Sequence, residues 1–251
     1  MRGWWQDLSD LVLPTQCAGC GRSRTPLCAR CAQAVRGAGP GRVRPTPPPA
    51  GLPVVHAAAP YDGAVRAVLL AHKERGALGL ARPLGEALAG AVRAGLPRGG
   101  AGAVALVPVP SAPRAVRARG HDPTRRLAYA AAAGLRRDGV AVRVLAVLRQ
   151  RRAVADQSGL DARQRRANVS GALEVLGGAD GLLAEVGRIV LVDDLMTTGA
   201  SLAEAARAIR AATRPATAPG EGATIPAMAG TVTVGAAVVS ASPDSFEINR
   251  N

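Results

Sequence analysis

The residues best equipped for chemistry lie in Arg188–Ser201, RIVLVDDLMTTGAS. Asp193 and Asp194 are adjacent carboxylates, followed closely by Thr197, Thr198, Gly199, Ala200 and Ser201. A carboxylate pair repels phosphate but accepts well from vicinal sugar hydroxyls. The loop is suited to the opposite task. Gly199 and Ala200 let the backbone approach an anion, and three hydroxyls can donate to its oxygens. Leu202, Ala205, Ala206 and Ile209 then repeat at helical spacing. A helix start there would add unpaired N–H groups and a positive dipole end. A ligand with a diol and a 5′-phosphate satisfies both halves. An Asp-capped strand–turn–helix junction is the plainer reading of DD and TG alone.

Two further sets invite chemistry. Cys17, Cys20, Cys28 and Cys31 form CAGC, seven residues, then CARC, and the chain has no other cysteine. Two CxxC turns can build a four-thiolate cage for zinc, closed and therefore structural. Disulfides or a single redox CxxC are the alternatives, and in a reducing compartment zinc is favoured. The other set is Pro110, Ser111, Arg114, Arg117 and Arg119, after an apolar run. A stiff turn followed by spaced arginines can hold a pyrophosphate. Standing alone it would read as a solvated basic helix. Lys73, the only lysine, is either a solvated helix end or another ligand contact.

The elements that must position these groups follow from periodicity. Ile189–Val192 reads as a strand buried on both faces, as in a parallel sheet. Strands are predicted at Val54–Ala59, Val104–Val109, Val142–Leu148 and Thr231–Ser240, and helices at Tyr61–His72, Leu80–Val92 and Asp122–Arg137. Strands mostly separated by helices argue for a largely parallel sheet, whose ligands sit at the strands' carboxyl ends. Residues 37–53, with Pro47-Pro48-Pro49, read as a semi-stiff linker. The division expected is a zinc-binding module of four cysteines over 1–36, a linker over 37–53 and an α/β domain over 54–251, with a flexible insert near 211–230. Arg149–Ala172 reads as a long connection with six arginines, either a lid over a phosphate site, a nucleic-acid-touching face or a soluble loop.

Composition narrows the rest. Aromatics are 2% of 251 residues, so the core must be Ala, Val and Leu. A formal charge of +14 predicts attraction to polyanions, although an Arg, Ala and Gly bias can also reflect genome composition. No run approaches the roughly 18 apolar residues a membrane span needs. Met1–Cys17 has no export-type apolar region, so a cytoplasmic protein is expected. His56, His72 and His121 read as surface or capping residues.

The central string resembles the phosphoribosyl-pyrophosphate (PRPP) motif of type I phosphoribosyltransferases. That resemblance implies that Asp193 and Asp194 hold the ribose hydroxyls, and that Thr197–Ser201 hold the 5′-phosphate. The paired CxxC motifs, YDGAVRAVLLAHKERG, VPVPSAPRAVRARGHDPTRRLA, DQSGLDARQRRANVSGA and IVLVDDLMTTGAS together resemble the ComF family. These are competence-associated proteins with an N-terminal zinc module and a type I phosphoribosyltransferase domain. Ser201 stands where related motifs often have Thr, which keeps the hydroxyl. His121-Asp122 stands where an aromatic and Asn are expected. The resemblance implies an α/β fold: a small zinc ribbon or knuckle, then a type I phosphoribosyltransferase-like, mainly parallel sheet flanked by helices. It implies structural Zn²⁺, PRPP with Mg²⁺, and a role in DNA uptake during natural transformation, with single-stranded DNA and other competence proteins as partners. Two functions follow: transfer of a phosphoribosyl group with release of pyrophosphate, or a non-catalytic PRPP or nucleotide sensor that binds DNA or a partner.

Overall fold

The computed structural model describes residues 16–97, 102–152, 162–214 and 232–246. Its centre is a six-stranded sheet in the order β1-β2-β8-β7-β3-β4. The strands are β1 (Gly41–Val43), β2 (Val55–Pro60), β3 (Val104–Pro108), β4 (Val142–Val144), β7 (Arg188–Met196) and β8 (Thr233–Ala241). Within this sheet β1 runs antiparallel to its neighbour, and the other pairings are parallel. The expected α/β architecture with a mainly parallel sheet is therefore present.

Alternation along β7 shows why its apolar run is unbroken. Val190 and Val192 join one core; Ile189 and Leu191 join the other. Helices α1 (Ala29–Arg36), α2 (Gly63–Glu74), α3 (Ala81–Ala94) and α5 (Pro123–Arg137) contribute to the first core. The short α7 (Asp180–Ala184) and α8 (Ala200–Ala212) contribute to the second. Both cores are mostly Ala, Val and Leu, as the scarcity of aromatics requires. Small residues let helices approach closely: a Cβ on Gly85 of α3 would overlap Ala130 of α5. Asp122 caps α5 by accepting from Arg125 N–H at 3.1 Å, with Pro123 in the first turn.

Three expectations need correction. The strand expected over Val142–Leu148 is two strands. After β4 the chain leaves the sheet, and β5 (Leu148–Gln150) pairs antiparallel with β6 (Leu173–Val175) in a separate ribbon. Leu145 N–H still bonds Leu106 in β3, whereas Val147 O accepts from Leu176 beyond β6. The handover thus falls within Leu145–Val147. The long basic connection is not wholly irregular either: it carries β5 and α6 (Ala162–Val169), with 153–161 outside the described residues. Residues 37–53 are not a free linker, because β1 pairs along β2 and Val43 bridges Phe246. The N-terminal module is docked on the sheet as well. Val35 of α1 is fully buried in the same core as Ala58, Ala59 and Val65, and a Cβ on Gly37 would overlap the carbonyl oxygen of Ala58. Of the insert expected near 211–230, α8 takes the start, and 215–231 lie outside the described residues. Among the described residues no helix is long and apolar enough to cross a membrane.

Candidate functional site

The chain's connections turn in opposite directions between β3 and β7. From β3 they run to β4 on one side, and from β7 to β8 on the other. Such a switch point opens a crevice at the strands' carboxyl ends. A cleft of about 520 Å³ lies there. β7 and its following loop supply Asp193, Asp194 and Thr197, and α8 supplies Ser201. Pro110 and Ser111 follow β3. Helix α4 (Pro113–Arg119) adds Arg114 and Arg119, and α2 adds Lys73 and Glu74. The three sequence sets other than the cysteines thus meet in one place. Arg117 does not line the cleft, and α4 buries none of its residues, so the solvated-helix reading holds for Arg117. Thr198, Gly199 and Ala200 form the loop behind Thr197 without lining the cavity.

The acid pair is not two equal charges. Asp194 has the parity of Val190 and Val192, so it points toward α2, where Lys73 Nζ donates to its Oδ2 at 2.8 Å. Burial opposes the charge on Asp194, but the Lys73 ammonium beside it prevails and holds the carboxyl below its usual range. Burial likewise opposes the charge on Lys73, and the two aspartates raise its pKa in return. Asp193 has no cation of its own among the described residues. Its Oδ1 accepts from Asp194 N–H at 2.8 Å and, more distantly, from Thr124 Oγ1 at 3.4 Å. Burial and then the neighbouring charge of Asp194 push its carboxyl well above the usual range. The two carboxyls are therefore pushed in opposite directions, Asp194 toward its charged form and Asp193 toward its neutral one.

The basic side is partly tied down. Arg119 Nε bonds Glu74 at 2.8 Å, while its Nη1 is buried with no partner among the described residues. An unmatched guanidinium N–H at a cleft wall suits an anionic oxygen. His72 is fully buried rather than a surface residue; burial first, then the His121 ring, lowers its pKa to about 4. The last turn of α2 thus reaches three neighbours. His72 O faces His121 Nε2 at 3.2 Å, Lys73 meets Asp194, and Glu74 meets Arg119.

Gly199 sets the hydroxyl loop. It sits at the helix N-cap with φ of 73°, a left-handed conformation, and the side chains of Leu52 and Pro45 would lie 3.1–3.5 Å from an added Cβ. Gly199→Ala is therefore expected to cost about 1–2 kcal/mol from backbone strain alone. Leu52 must also shift. Urea unfolding would measure the loss, and an unchanged midpoint would show that the loop relaxes freely.

Sequence reasoning missed part of the wall. Thr124 could have been suspected from its place in the first turn after Asp122-Pro123. Gln150, Val169, Ala172 and Leu173, which also line the cleft, carry no such signal because they fall in or just after the stretch that read as one long connection.

The four cysteine sulfurs lie within 4.8 Å of one another. Four thiolates at about 2.3 Å from zinc stand about 3.8 Å apart, and Cys20 Sγ and Cys28 Sγ are 3.7 Å apart. Burial opposes ionisation of Cys17, but main-chain N–H groups of Cys28, Gly19 and Cys20 bring its pKa down to about 6. Cys31, buried beside the other sulfurs, is pushed up to about 12, so four thiolates together call for a cation. The tetrad could hold a metal such as zinc. Compared with known proteins, the chain matches no protein-family model, and no curated protein matches it.

Proposed function

We propose that the chain is a PRPP-binding, phosphoribosyltransferase-like protein of the ComF type. The observation that carries the reading is the convergence of the acid pair, the hydroxyl loop and Arg114, Arg119 and Lys73 on one cleft at the switch point of a parallel sheet. Asp194 accepts from one ribose hydroxyl, and Asp193 can accept or donate according to its proton. Thr197 and Ser201 bond the 5′-phosphate at the start of α8. Arg114, Arg119 and Lys73 neutralise the pyrophosphate, with Pro110 and Ser111 shaping its bed. The charge on Asp194 then lies near the sugar ring, where positive charge develops as pyrophosphate leaves.

Mg²⁺ would neutralise the pyrophosphate further and orient it. Among the acids lining the cleft, Asp194 is held by Lys73, Glu74 by Arg119, and Asp193 accepts from Asp194 N–H and Thr124. The ion would therefore rest on ligand oxygens and water, as it commonly does. Zn²⁺ in the cysteine tetrad would be structural. The family resemblance supplies a setting in DNA uptake, with single-stranded DNA and competence proteins as partners, in the cytoplasm.

A second reading, PRPP binding without transfer, draws on the part of the cleft lining that the ribbon and α6 supply. Val169, Ala172 and Leu173 are apolar and Gln150 does not titrate, so among the described residues this part of the lining offers an acceptor no base. Calorimetry with PRPP–Mg²⁺ tests the shared part. One molecule should bind per chain, and Asp194→Asn should weaken it at least tenfold, because a charge-assisted bond worth about 1.5–3 kcal/mol is lost. Unchanged affinity in that variant would remove the assignment. Pyrophosphate release with bases, ammonia or DNA as acceptors then separates transfer from binding alone.

A further inference from the structure

The β5–β6 ribbon lines the cleft through Gln150 and Leu173 and packs against α8, the helix that begins at the hydroxyl loop. Within the ribbon Arg151 N–H donates to Ala172 O at 2.9 Å, and Gln150 lies opposite Leu173. The main-chain groups of Leu173 bond elsewhere. Its N–H donates to Glu204 Oε1 at 3.0 Å, and its carbonyl accepts from Arg207 Nη2 at 2.9 Å. Glu204 and Arg207 are themselves joined by two bonds of 2.8 Å, from Nε to Oε2 and from Nη2 to Oε1. The pair therefore satisfies the outer edge of β6 as a third strand would.

This is not an ordinary exposed helix pair at i and i+3, which is worth little. Glu204 is only 6% exposed and stands one turn beyond Ser201, on the helix that begins at the hydroxyl loop. Burial opposes its charge, yet Arg207 and the Leu173 N–H hold its carboxyl below the usual range. A buried carboxylate committed to the backbone N–H groups of Leu173 and Gly171 and to one guanidinium is placed to fix geometry.

We propose that Glu204 and Arg207 form a latch that fixes the β5–β6 ribbon to α8. The latch sets the spacing within the cleft lining between Gln150 and Leu173 of the ribbon and Thr197 and Ser201 at the start of α8. Both are positioning residues, since neither lines the cavity. The consequence for binding rests on the reading of the cleft as a PRPP site; the latch itself does not.

Hydrogen exchange on the full chain tests it, comparing wild type with Glu204→Ala, Arg207→Ala and the double variant. In each single variant the amides of β5 and β6 should exchange at least tenfold faster, while those of β3 and β7 keep their rates. The double variant should be no faster than the singles, because the two side chains act as one unit. Arg207→Lys should not restore protection, since an ammonium lacks the planar fork that reaches both Glu204 oxygens and Leu173 O. Glu204→Gln, nearly isosteric, serves if alanine impairs folding, and should still accelerate β6. PRPP–Mg²⁺ affinity should fall at least fivefold in the same variants. Equal acceleration across β7 would mean that Glu204 merely supports the core, and additive effects would mean that the two side chains act separately; either overturns the latch. A loosened ribbon with unchanged PRPP affinity overturns the spacing claim. A loosened ribbon in a protein that binds no PRPP at all leaves the latch standing and removes the functional reading instead.

Discussion

Asp193→Asn is expected to stabilise the fold at neutral pH, and Asp194→Asn to destabilise it. The two residues are adjacent and chemically alike, but only Asp194 has a cation, Lys73 at 2.8 Å, among the described residues. The carboxyl of Asp193 is raised in the fold by burial and by the charge of Asp194. As pH rises through the ordinary carboxylate value, the unfolded chain gives up this proton readily and the folded chain does not. The fold therefore loses relative stability over the window from the unfolded value up to the raised one. Asn removes that loss, so its advantage should grow from about pH 4 to pH 7, starting near the ordinary Asp value. Asp194 has the opposite sign. Its lowered pKa contributes stability that is present above the unfolded value and disappears as pH falls through the folded one. Asn there leaves Lys73 without its anion, at a cost of about 2–3 kcal/mol. The lower end is appropriate because Lys73 keeps 33% of its side-chain surface in water. Urea unfolding of both variants across this pH range is the measurement. Equal effects of the two substitutions at pH 7 would show that the charge is shared evenly.

Replacing Cys28 and Cys31 together by Ser should release a metal such as zinc and weaken the whole fold, not the module alone. Cys28 is the N-cap residue of α1, and Cys31 sits in its first turn. The same helix sends Val35, fully buried, into the core with residues of β2 and α2. Ala64 of α2 packs in turn against the cysteine cluster. If the tetrad opens, α1 loses its anchor, and exposing Val35 alone forfeits about 1.5–3 kcal/mol. The expected result is loss of metal by elemental analysis together with a lower urea midpoint for the sheet. Chelation of the wild-type protein should reproduce both. A metal-free protein with an unchanged midpoint would show that α1 docks without its metal.

Most of the sheet was legible because its longer strands are mainly apolar runs and its larger helices amphipathic. The acid pair and its loop were legible for a different reason: their order along the chain is itself the chemistry. Legibility fails where long-range contact decides. Val142, Val144, Val147 and Leu148 form one apolar run, and nothing local says that Val142 belongs to the main sheet and Leu148 to the ribbon. Gly41–Val43 is a strand only because β2 offers it an edge, and its Gly/Pro surroundings argue the other way. Lys73 stood out by being the only lysine, but its bond to Asp194 spans 121 positions. Glu204 and Arg207 read as an ordinary surface pair until β6 is placed beside them.

The contact of Pro45 and Leu52 with Gly199 changes how the connecting segment should be regarded. Connections usually tolerate insertion and deletion, since their length matters little to either neighbour. Here the segment between the cysteine module and β2 is the backing of the loop that faces the cleft. A change of length within 44–53 would be transmitted to Gly199 through Leu52 and Pro45, whose side chains stand where a Cβ at that position would have to go. The stretch that looks most like a spacer is therefore held to the tolerance of a binding loop, and the two parts it joins are free to vary only together.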